Sequence, residues 1–129
     1  MEFNFLLIED NVIDQLVTTQ LLKKNFDLAD VTIANNGKEA LQWFHDHEIG
    51  LDDPLIILLD IRMPEMDGFE FLSEYEKLPD AFKRKTQIFM LSSTLDSEDI
   101  QRAENNTNVQ CLLGKPFPVN EFKKLICKE

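Results

Sequence analysis

Short apolar runs alternate along the whole chain with segments whose apolar residues recur every three or four positions. The runs predict β-strands over residues 3–8, 31–34, 55–59, 87–91 and 109–113. The segments between them predict amphipathic helices over residues 12–25, 38–47, 69–77, 97–105 and 119–128. Strictly alternating strands and helices joined by short loops predict an α/β fold. In such a fold the strands form one parallel sheet, and right-handed connections place helices on both of its faces.

The strands differ in how apolar they are, and this difference predicts their order in the sheet. The first, third and fourth runs are the most apolar, whereas residues 31–34 are short and mixed, and Gln110 interrupts the fifth run. Since central strands are buried on both faces, strands two and five are expected at the edges. The order 2-1-3-4-5, one of the two common doubly wound orders, fits this expectation.

Some finer predictions follow from the helical segments. Apolar residues share one face of the first and last helices: Ile13, Leu16, Val17 and Leu21 in the first, and Val119, Phe122, Leu125 and Ile126 in the last. Such a stripe normally faces the core. Ser97 is the expected N-cap of its helix. Residues 78–86 are interpreted as a helix end followed by a surface loop.

Composition narrows the class of protein. The 129 residues suit one domain, and 43% hydrophobic residues are enough for a core. Thirteen basic against 24 acidic residues give a net charge of −11, which argues against nucleic acid and anionic membranes as partners. The start is unlike a signal peptide, and no apolar stretch approaches the ~20 residues that span a bilayer. We therefore expect a cytoplasmic protein consisting of one domain, residues 1–129. Cys111 and Cys127 are expected to be buried, reduced thiols.

Polar residues follow the apolar strands at the points where they end. Glu9 and Asp10 follow the first strand, and Asp60 follows the third. In the predicted order these strands are neighbours, so the three carboxylates should meet at one edge of the sheet. Like charges ~4 Å apart repel by about 4 kcal/mol at an effective dielectric near 20, so either the pKa values rise or a cation binds. Oxygen ligands favour a hard ion such as Mg²⁺.

Two further residues belong to the same predicted edge. Ser92 ends the fourth strand, and Lys115 follows the fifth. A nucleophilic carboxylate, a divalent cation, an ammonium group and a hydroxyl donor are the parts that phosphoryl transfer onto a carboxylate requires.

Five chain segments together resemble the signature of response-regulator receiver domains of two-component signalling. They are Glu9-Asp10-Asn11, Asp60 with Met63-Pro64, Asp67-Gly68, Ser92-Ser93, and Lys115-Pro116-Phe117. The resemblance covers essentially the whole chain and implies a (βα)5 flavodoxin-like fold. In length and in its connection before the fourth strand, the chain also resembles stand-alone regulators without an output domain. Such regulators pair with bacterial sensor kinases, phytochrome-type kinases among them.

The resemblance implies a role for each site residue. Asp60 would accept a phosphoryl group from a sensor histidine kinase or a histidine phosphotransfer protein. Asp10, Asp60 and the backbone carbonyl of Arg62 would bind Mg²⁺, and Glu9, where Asp is more usual, would reach it through water. Lys115 would pair with the acyl phosphate and Ser92 would donate a hydrogen bond to it. The bond before Pro116 is expected to be cis, as in the family.

At one position the chain departs from the usual receiver sequence, and at another it differs from phosphatases that use an aspartyl nucleophile, which are a rival interpretation. Leu112 stands where the family usually has Tyr or Phe, which puts an aromatic switch in doubt. Arg62 stands where aspartyl phosphatases usually carry an Asp that acts as acid and base, so a phosphatase function is the weaker interpretation. Arg62 is also expected to affect the access of water to the phosphate. The protein would act on no external substrate, as a monomer or a phosphorylation-dependent dimer with an unknown downstream partner.

Two alternatives remain open. The chain could be an interaction module that keeps the fold without being phosphorylated. Asn11, Asp14 and Gln15 could contact a kinase or form a solvated helix face. Asp67-Gly68 is interpreted as turn chemistry, since Gly tolerates positive φ.

Overall fold

A computed structural model describes residues 4–27, 31–47, 54–93 and 96–126. The strands are β1 (Asn4–Ile8), β2 (Thr32–Ala34), β3 (Leu55–Asp60), β4 (Thr86–Ser92) and β5 (Val109–Gly114). The helices are α1 (Val12–Phe26), α2 (Gly37–His47), α3 (Gly68–Glu76), α4 (Asp80–Lys83), α5 (Ser97–Asn105) and α6 (Val119–Ile126).

The five strands form one parallel sheet in the order β2-β1-β3-β4-β5, which confirms the predicted order. Every residue of β3 is buried, whereas the edge strands β2 and β5 are only partly buried. The contrast follows from position, since a central strand is covered by helices on both faces. Pairing of β1 with β3 aligns Ile8 with Leu59, so the residues next in sequence, Glu9 and Asp60, emerge side by side.

Two hydrophobic cores lie on opposite faces of the sheet because successive strand side chains point to opposite faces. In β3, Leu55, Ile57 and Leu59 enter one core, and Ile56 and Leu58 enter the other. Helices α2, α3, α4 and α5 cover the first face and α1 and α6 the second, as the residues they contribute to each core show. The predicted doubly wound arrangement, with helices on both faces, is therefore correct.

Helix α1 does not present its predicted face to the core. Ile13, Leu16 and Val17 are 66%, 55% and 42% exposed, and the fully buried residues of α1 are Thr18 and Leu22. Leu21, the remaining member of the predicted stripe, packs against the core from a half-buried position. Helix α6 behaves closer to expectation: Phe122 is fully buried, Val119 and Ile126 pack against it, and Leu125 is exposed. The expectation for α1 was wrong because apolar residues are spread around that helix.

Smaller corrections concern helix ends and one connection. Asp96, not Ser97, is the N-cap of α5, and its side chain accepts a hydrogen bond from the Glu98 amide at 2.9 Å. The connection over residues 78–86 contains the short helix α4, which places Phe82 in the core. Cys111 is a free, half-buried thiol, and Cys127 lies outside the described residues. In the part of the chain that the structure describes, no helix has the length and apolar character needed to cross a bilayer.

Candidate functional site

The carboxylates predicted from the strand ends do lie together. Oxygen atoms of Glu9, Asp10 and Asp60 lie within 4.8 Å of one another. The backbone holds them there: Glu9 donates its amide to the Ala34 carbonyl at 3.0 Å, and Asp60 is the last residue of β3. Glu9 and Asp60 are buried, whereas Asp10 is exposed.

Lys115 places one ammonium group among the acids. Its Nζ lies 2.7 Å from Glu9 Oε1, 3.0 Å from Asp14 Oδ2 and 3.1 Å from Asp60 Oδ1. Its backbone amide donates to the Ser92 carbonyl at 2.8 Å, which ties the end of β5 to the end of β4. The Lys115–Pro116 peptide bond is cis, as predicted. The ammonium group has three donors, and three carboxylates face it.

Burial changes the ionisation of the two enclosed acids. Burial raises the pKa of Glu9 from 4.5 to about 7, and the Asp60 charge adds to the rise, while the hydrogen bond from Lys115 opposes it. Burial also raises the pKa of Asp60, again against the opposing effect of Lys115. Desolvation disfavours the charged form of a carboxyl group, so a cation is favoured here.

The surroundings of Lys115 favour its charged form, in contrast to those of Glu9 and Asp60. Burial by itself lowers the pKa of its ammonium group, but the hydrogen bonds to Glu9 and Asp14 and the charges of Asp60 and Glu9 outweigh burial. The net pKa of Lys115 is raised above its ordinary value. Lys115 therefore carries its charge throughout the physiological pH range.

The loop after Asp60 is held close to the strand by Gly68. A Cβ at Gly68 would lie 2.6 Å from the Asp60 carbonyl oxygen and 3.0 Å from the Ile61 Cα. The Gly68 amide donates to the Ile61 carbonyl at 2.8 Å, and Asp67 caps α3 in a reciprocal capping box with Glu70. Close approach explains this glycine, and the expectation of positive φ is wrong because Gly68 does not adopt it.

A small cavity of about 190 Å³ opens at this edge of the sheet. Strand ends, the loops that follow them and the first turn of α1 line it, and they contribute Glu9, Asp10, Asn11, Asp14, Asp60, Ile61, Arg62, Ser92, Ser93 and Lys115. Buried Ser92 therefore shares a cavity with Asp60 and Lys115, as the sequence predicted.

Arg62 also lines this cavity, and its side chain reaches beyond it to helix α5. The guanidinium Nη2 lies 2.5 Å from Asp99 Oδ2 in the first turn of α5. The Arg62 side chain is 64% exposed and that of Asp99 only 6% exposed.

Comparison with known proteins decides the family. The family model for the response regulator receiver domain matches residues 5–127. The chain belongs to this family. The resemblance drawn from the five motifs is thereby confirmed, as is the flavodoxin-like fold.

Similar proteins and structures support the assignment across the length of the receiver. A response regulator receiver protein from Dyadobacter fermentans has a TM-score of 0.85 and 34% identity, over 96% of this chain and 94% of that one. The bacteriophytochrome response regulator AtBRR has a TM-score of 0.75 and 30% identity, over 98% and 91%. The chemotaxis protein CheY of Halobacterium salinarum is 30% identical over 87% of this chain and 83% of its own length.

The donor set of this receiver fits a hard divalent cation. All three acids offer oxygen, which Mg²⁺ prefers, and the raised pKa values of Glu9 and Asp60 show that the cluster favours added positive charge. Glu9 already accepts hydrogen bonds from Lys115 at 2.7 Å and from the Asn11 amide at 3.2 Å. That Glu9 reaches the ion through water while Asp10 and Asp60 bind it directly stays a prediction.

Sequence reasoning did not place two residues, Asp14 and Asp99, in contact with the cations of the site. Asp14 was considered only as a possible kinase contact or part of a solvated helix face, although it lies in the first turn of α1, three residues after the N-cap Asn11. Asp99 looked like an ordinary acid in the first turn of a helix. The position of Asp14, in the first turn of the helix that follows Glu9 and Asp10, was a usable signal, whereas the partner of Asp99 depends on tertiary contact with a loop 37 residues away in sequence.

Proposed function

We propose that this receiver accepts a phosphoryl group on Asp60 from a sensor histidine kinase or a histidine phosphotransfer protein, with Mg²⁺ as cofactor. The phosphorylated receiver then changes conformation and signals by contact with a downstream protein. The observation that carries the proposal is the placement of the Asp60 carboxylate, 3.1 Å from the Lys115 ammonium group and beside Glu9 and Asp10.

The chemistry follows from these positions. A carboxylate oxygen of Asp60 attacks the phosphorus of the donor's phosphohistidine, the P–N bond breaks and an acyl phosphate forms. Lys115 neutralises charge on the phosphoryl oxygens, and the Ser92 hydroxyl donates a hydrogen bond to one of them. Asp10, Asp60 and the Arg62 carbonyl would hold Mg²⁺, with Glu9 reaching it through water, and the ion would supply further charge neutralisation. Hydrolysis of the acyl phosphate returns the protein to its resting state.

The exposed face of α1 supports a protein as the phosphoryl donor. Val12, Ile13, Leu16 and Val17 are 42% to 72% exposed and follow directly on Asn11, which lines the cavity. An exposed apolar patch marks an interaction site more often than an isolated apolar residue does. A donor lying on this face would bring its histidine to the cavity that contains Asp60.

The wider predictions stay part of the proposal. The receiver would catalyse its own phosphotransfer and dephosphorylation and no reaction of an external substrate. It would act in the cytoplasm, as a monomer or a phosphorylation-dependent dimer. The likeness to AtBRR favours a phytochrome-type kinase in a bacterium as its partner, although the relative from Halobacterium salinarum shows that similar proteins also occur elsewhere.

Phosphoryl labelling tests the proposal directly. The protein is incubated with acetyl phosphate and Mg²⁺, and the added mass is measured on the intact chain and mapped to a peptide. One phosphoryl group on Asp60 is expected, with none in Asp60→Asn or in the presence of EDTA. Asp46→Asn, which removes an exposed acid on α2, should label like the unaltered protein.

The outcomes separate the rival functions. Undiminished labelling of Asp60→Asn would refute Asp60 as the acceptor. Absence of any label would favour the unphosphorylated interaction module. Sustained release of phosphate from many equivalents of a phosphate ester would favour a phosphatase.

A further inference from the structure

The Arg62 side chain connects the loop after Asp60 to helix α5. Its guanidinium donates to the Asp99 carboxylate at 2.5 Å. The carboxylate is fixed on a helix and is nearly fully buried, whereas the guanidinium lies at the surface. Arg62 is therefore the partner with room to change position.

Asp99 depends on this contact. A buried carboxylate needs a cation or several donors to offset its lost hydration, and an ion pair broken on one side leaves an uncompensated charge. Among the described residues, Arg62 is its ion-pair partner. Loss of Arg62 would leave the Asp99 carboxylate to find water, which requires the first turn of α5 to move outward.

Helix α5 is otherwise weakly anchored. Its buried residues are Asp99 and Ala103, and Arg102 stacks on the Phe69 ring of α3 at 3.9 Å nearer its C-terminus. A groove of about 510 Å³ lies between α5 and β5, and Ile100, Leu112 and Ser92 are among the residues that line it. A helix with few buried apolar contacts lies at the low end of local stability. The first turn of α5 borders this groove at Ile100 and so has space in which to move.

A phosphoryl group on Asp60 would compete with Asp99 for Arg62. Arg62 lines the cavity that contains Asp60 and Ser92. An acyl phosphate brings about two negative charges and three acceptor oxygens, against the single charge of Asp99. The planar guanidinium fork matches phosphate oxygens in a bidentate manner, which favours this exchange.

We propose that Arg62 is a phosphoryl-binding residue whose resting partner is Asp99. Its transfer to the phosphoryl group on Asp60 releases the first turn of α5. The proposal rests on phosphorylation of Asp60, and it gives the receiver a route from Asp60 to α5 that needs no aromatic ring at Leu112. Asp99 acts as a positioning residue, since it holds Arg62 away from the acceptor until phosphate arrives.

Hydrogen exchange measures the release. Exchange is followed for the backbone amides of residues 100–105, beginning with the Ile100 amide that donates to the Asp96 carbonyl at 3.0 Å. Acetyl phosphate with Mg²⁺ should speed exchange in the unaltered protein by about three- to tenfold, because loss of one contact lowers the free energy of local opening. Asp99→Asn should show similar acceleration without the donor and little further change with it.

Two further variants test whether faster exchange in α5 depends on the Arg62–Asp99 ion pair. Glu98→Gln removes a neighbouring exposed charge in the same helical turn and should exchange like the unaltered protein, with and without donor. Arg62→Met, altered at an exposed position, should also exchange faster at rest and covers the case in which Asp99→Asn does not fold.

The outcomes distinguish this inference from the proposed function because Asp60 labelling is measured in the same samples. Full labelling with unchanged exchange over residues 100–105 would overturn the Arg62 exchange and leave phosphorylation intact. Unchanged resting exchange in both Asp99→Asn and Arg62→Met would also overturn it. Absence of label on Asp60 would overturn both.

Discussion

The cavity that contains Asp60 is lined by two cationic residues, Lys115 and Arg62, whose surroundings differ sharply. The Lys115 side chain is 13% exposed and faces three carboxylates, whereas the Arg62 side chain is 64% exposed and pairs with Asp99 alone among the described residues. Lys115 follows β5, whose end is tied to β4, while Arg62 belongs to a loop. A buried, multiply paired cation is held in place, and an exposed one with one partner can exchange it. We infer that Lys115 serves the chemistry and Arg62 the response.

The largest expected effect comes from removing the buried cation. Lys115→Met leaves Glu9, Asp14 and Asp60 without their shared partner. We expect it to lower the free energy of unfolding at pH 8 by about 3 kcal/mol, the low end for breaking a buried ion pair. The loss should shrink at pH 5, where protonation relieves the repulsion, as measured by urea unfolding at both values.

Lys83→Met is the matched control for that comparison. The Lys83 side chain is 17% exposed, but it pairs at 3.7 and 3.8 Å with the exposed Asp80 and Glu76. A change below about 1 kcal/mol at either pH is expected for such a pair. Equal losses in the two variants would show that Lys115 has no special place in the acid cluster.

Glu9 should give the metal-free protein a distinct dependence on pH. Its folded pKa is about 7 against an ordinary value of 4.5, so between these values the folded state holds more protons than the unfolded state. The free energy of unfolding therefore falls as pH rises through this window. Asp60, whose pKa is also raised, contributes in the same direction. Urea unfolding in EDTA at several pH values should show the fall, and Glu9→Gln should flatten it.

Glu121→Gln, which alters an exposed acid in the first turn of α6, should keep the slope of the unaltered protein. The same reasoning predicts that Mg²⁺ binds more tightly as pH rises through 7, because bound carboxylates must lose their protons. A Glu9→Gln protein with an unchanged slope would contradict the assignment of the raised pKa to Glu9.

Arg62 should control how long the phosphoryl group survives. Arg62→Ala opens the cavity to water, and we expect the acyl phosphate lifetime to fall about fivefold, which corresponds to ~1 kcal/mol of barrier. Arg62→Met keeps most of the side-chain volume without the charge. A near-normal acyl phosphate lifetime in Arg62→Met would show that the side chain of Arg62 acts by excluding water from the cavity and not by its charge. Decay of the phosphorylated mass after donor removal gives the lifetime, and an unchanged value in Arg62→Ala would refute the prediction.

Substitution of Asp14 should have the smallest effect, and it tests whether the third carboxylate beside Lys115 influences phosphorylation. Asp14→Asn preserves a side chain of similar shape but removes a charge 3.0 Å from the ammonium group. An anionic donor should then be repelled less, so labelling by acetyl phosphate at low salt should speed up by about threefold and less so at high salt. Stability should change little because the Asp14 side chain is 40% exposed. Equal rates in Asp14→Asn and Asp46→Asn would remove Asp14 from the site.

The sequence by itself determined the sheet order and the meeting of Glu9, Asp10 and Asp60. Strand apolarity reports burial, and parallel strands bring their carboxyl ends to one edge, so order and site follow together. The same logic placed Ser92, the last residue of β4, and Lys115, which follows β5.

Only the tertiary structure decided which face of α1 is buried and which partners Asp14, Arg62 and Asp99 find. The apolar residues of α1 are distributed around the whole helix, so their spacing does not select the side that packs on the sheet. Its exposed face is known only from the structure. Long side chains such as Arg62 reach across several loops, and their contacts depend on the path of the backbone at both ends. Strand position is encoded by local hydrophobicity, whereas such long-range pairs depend on how the whole chain packs.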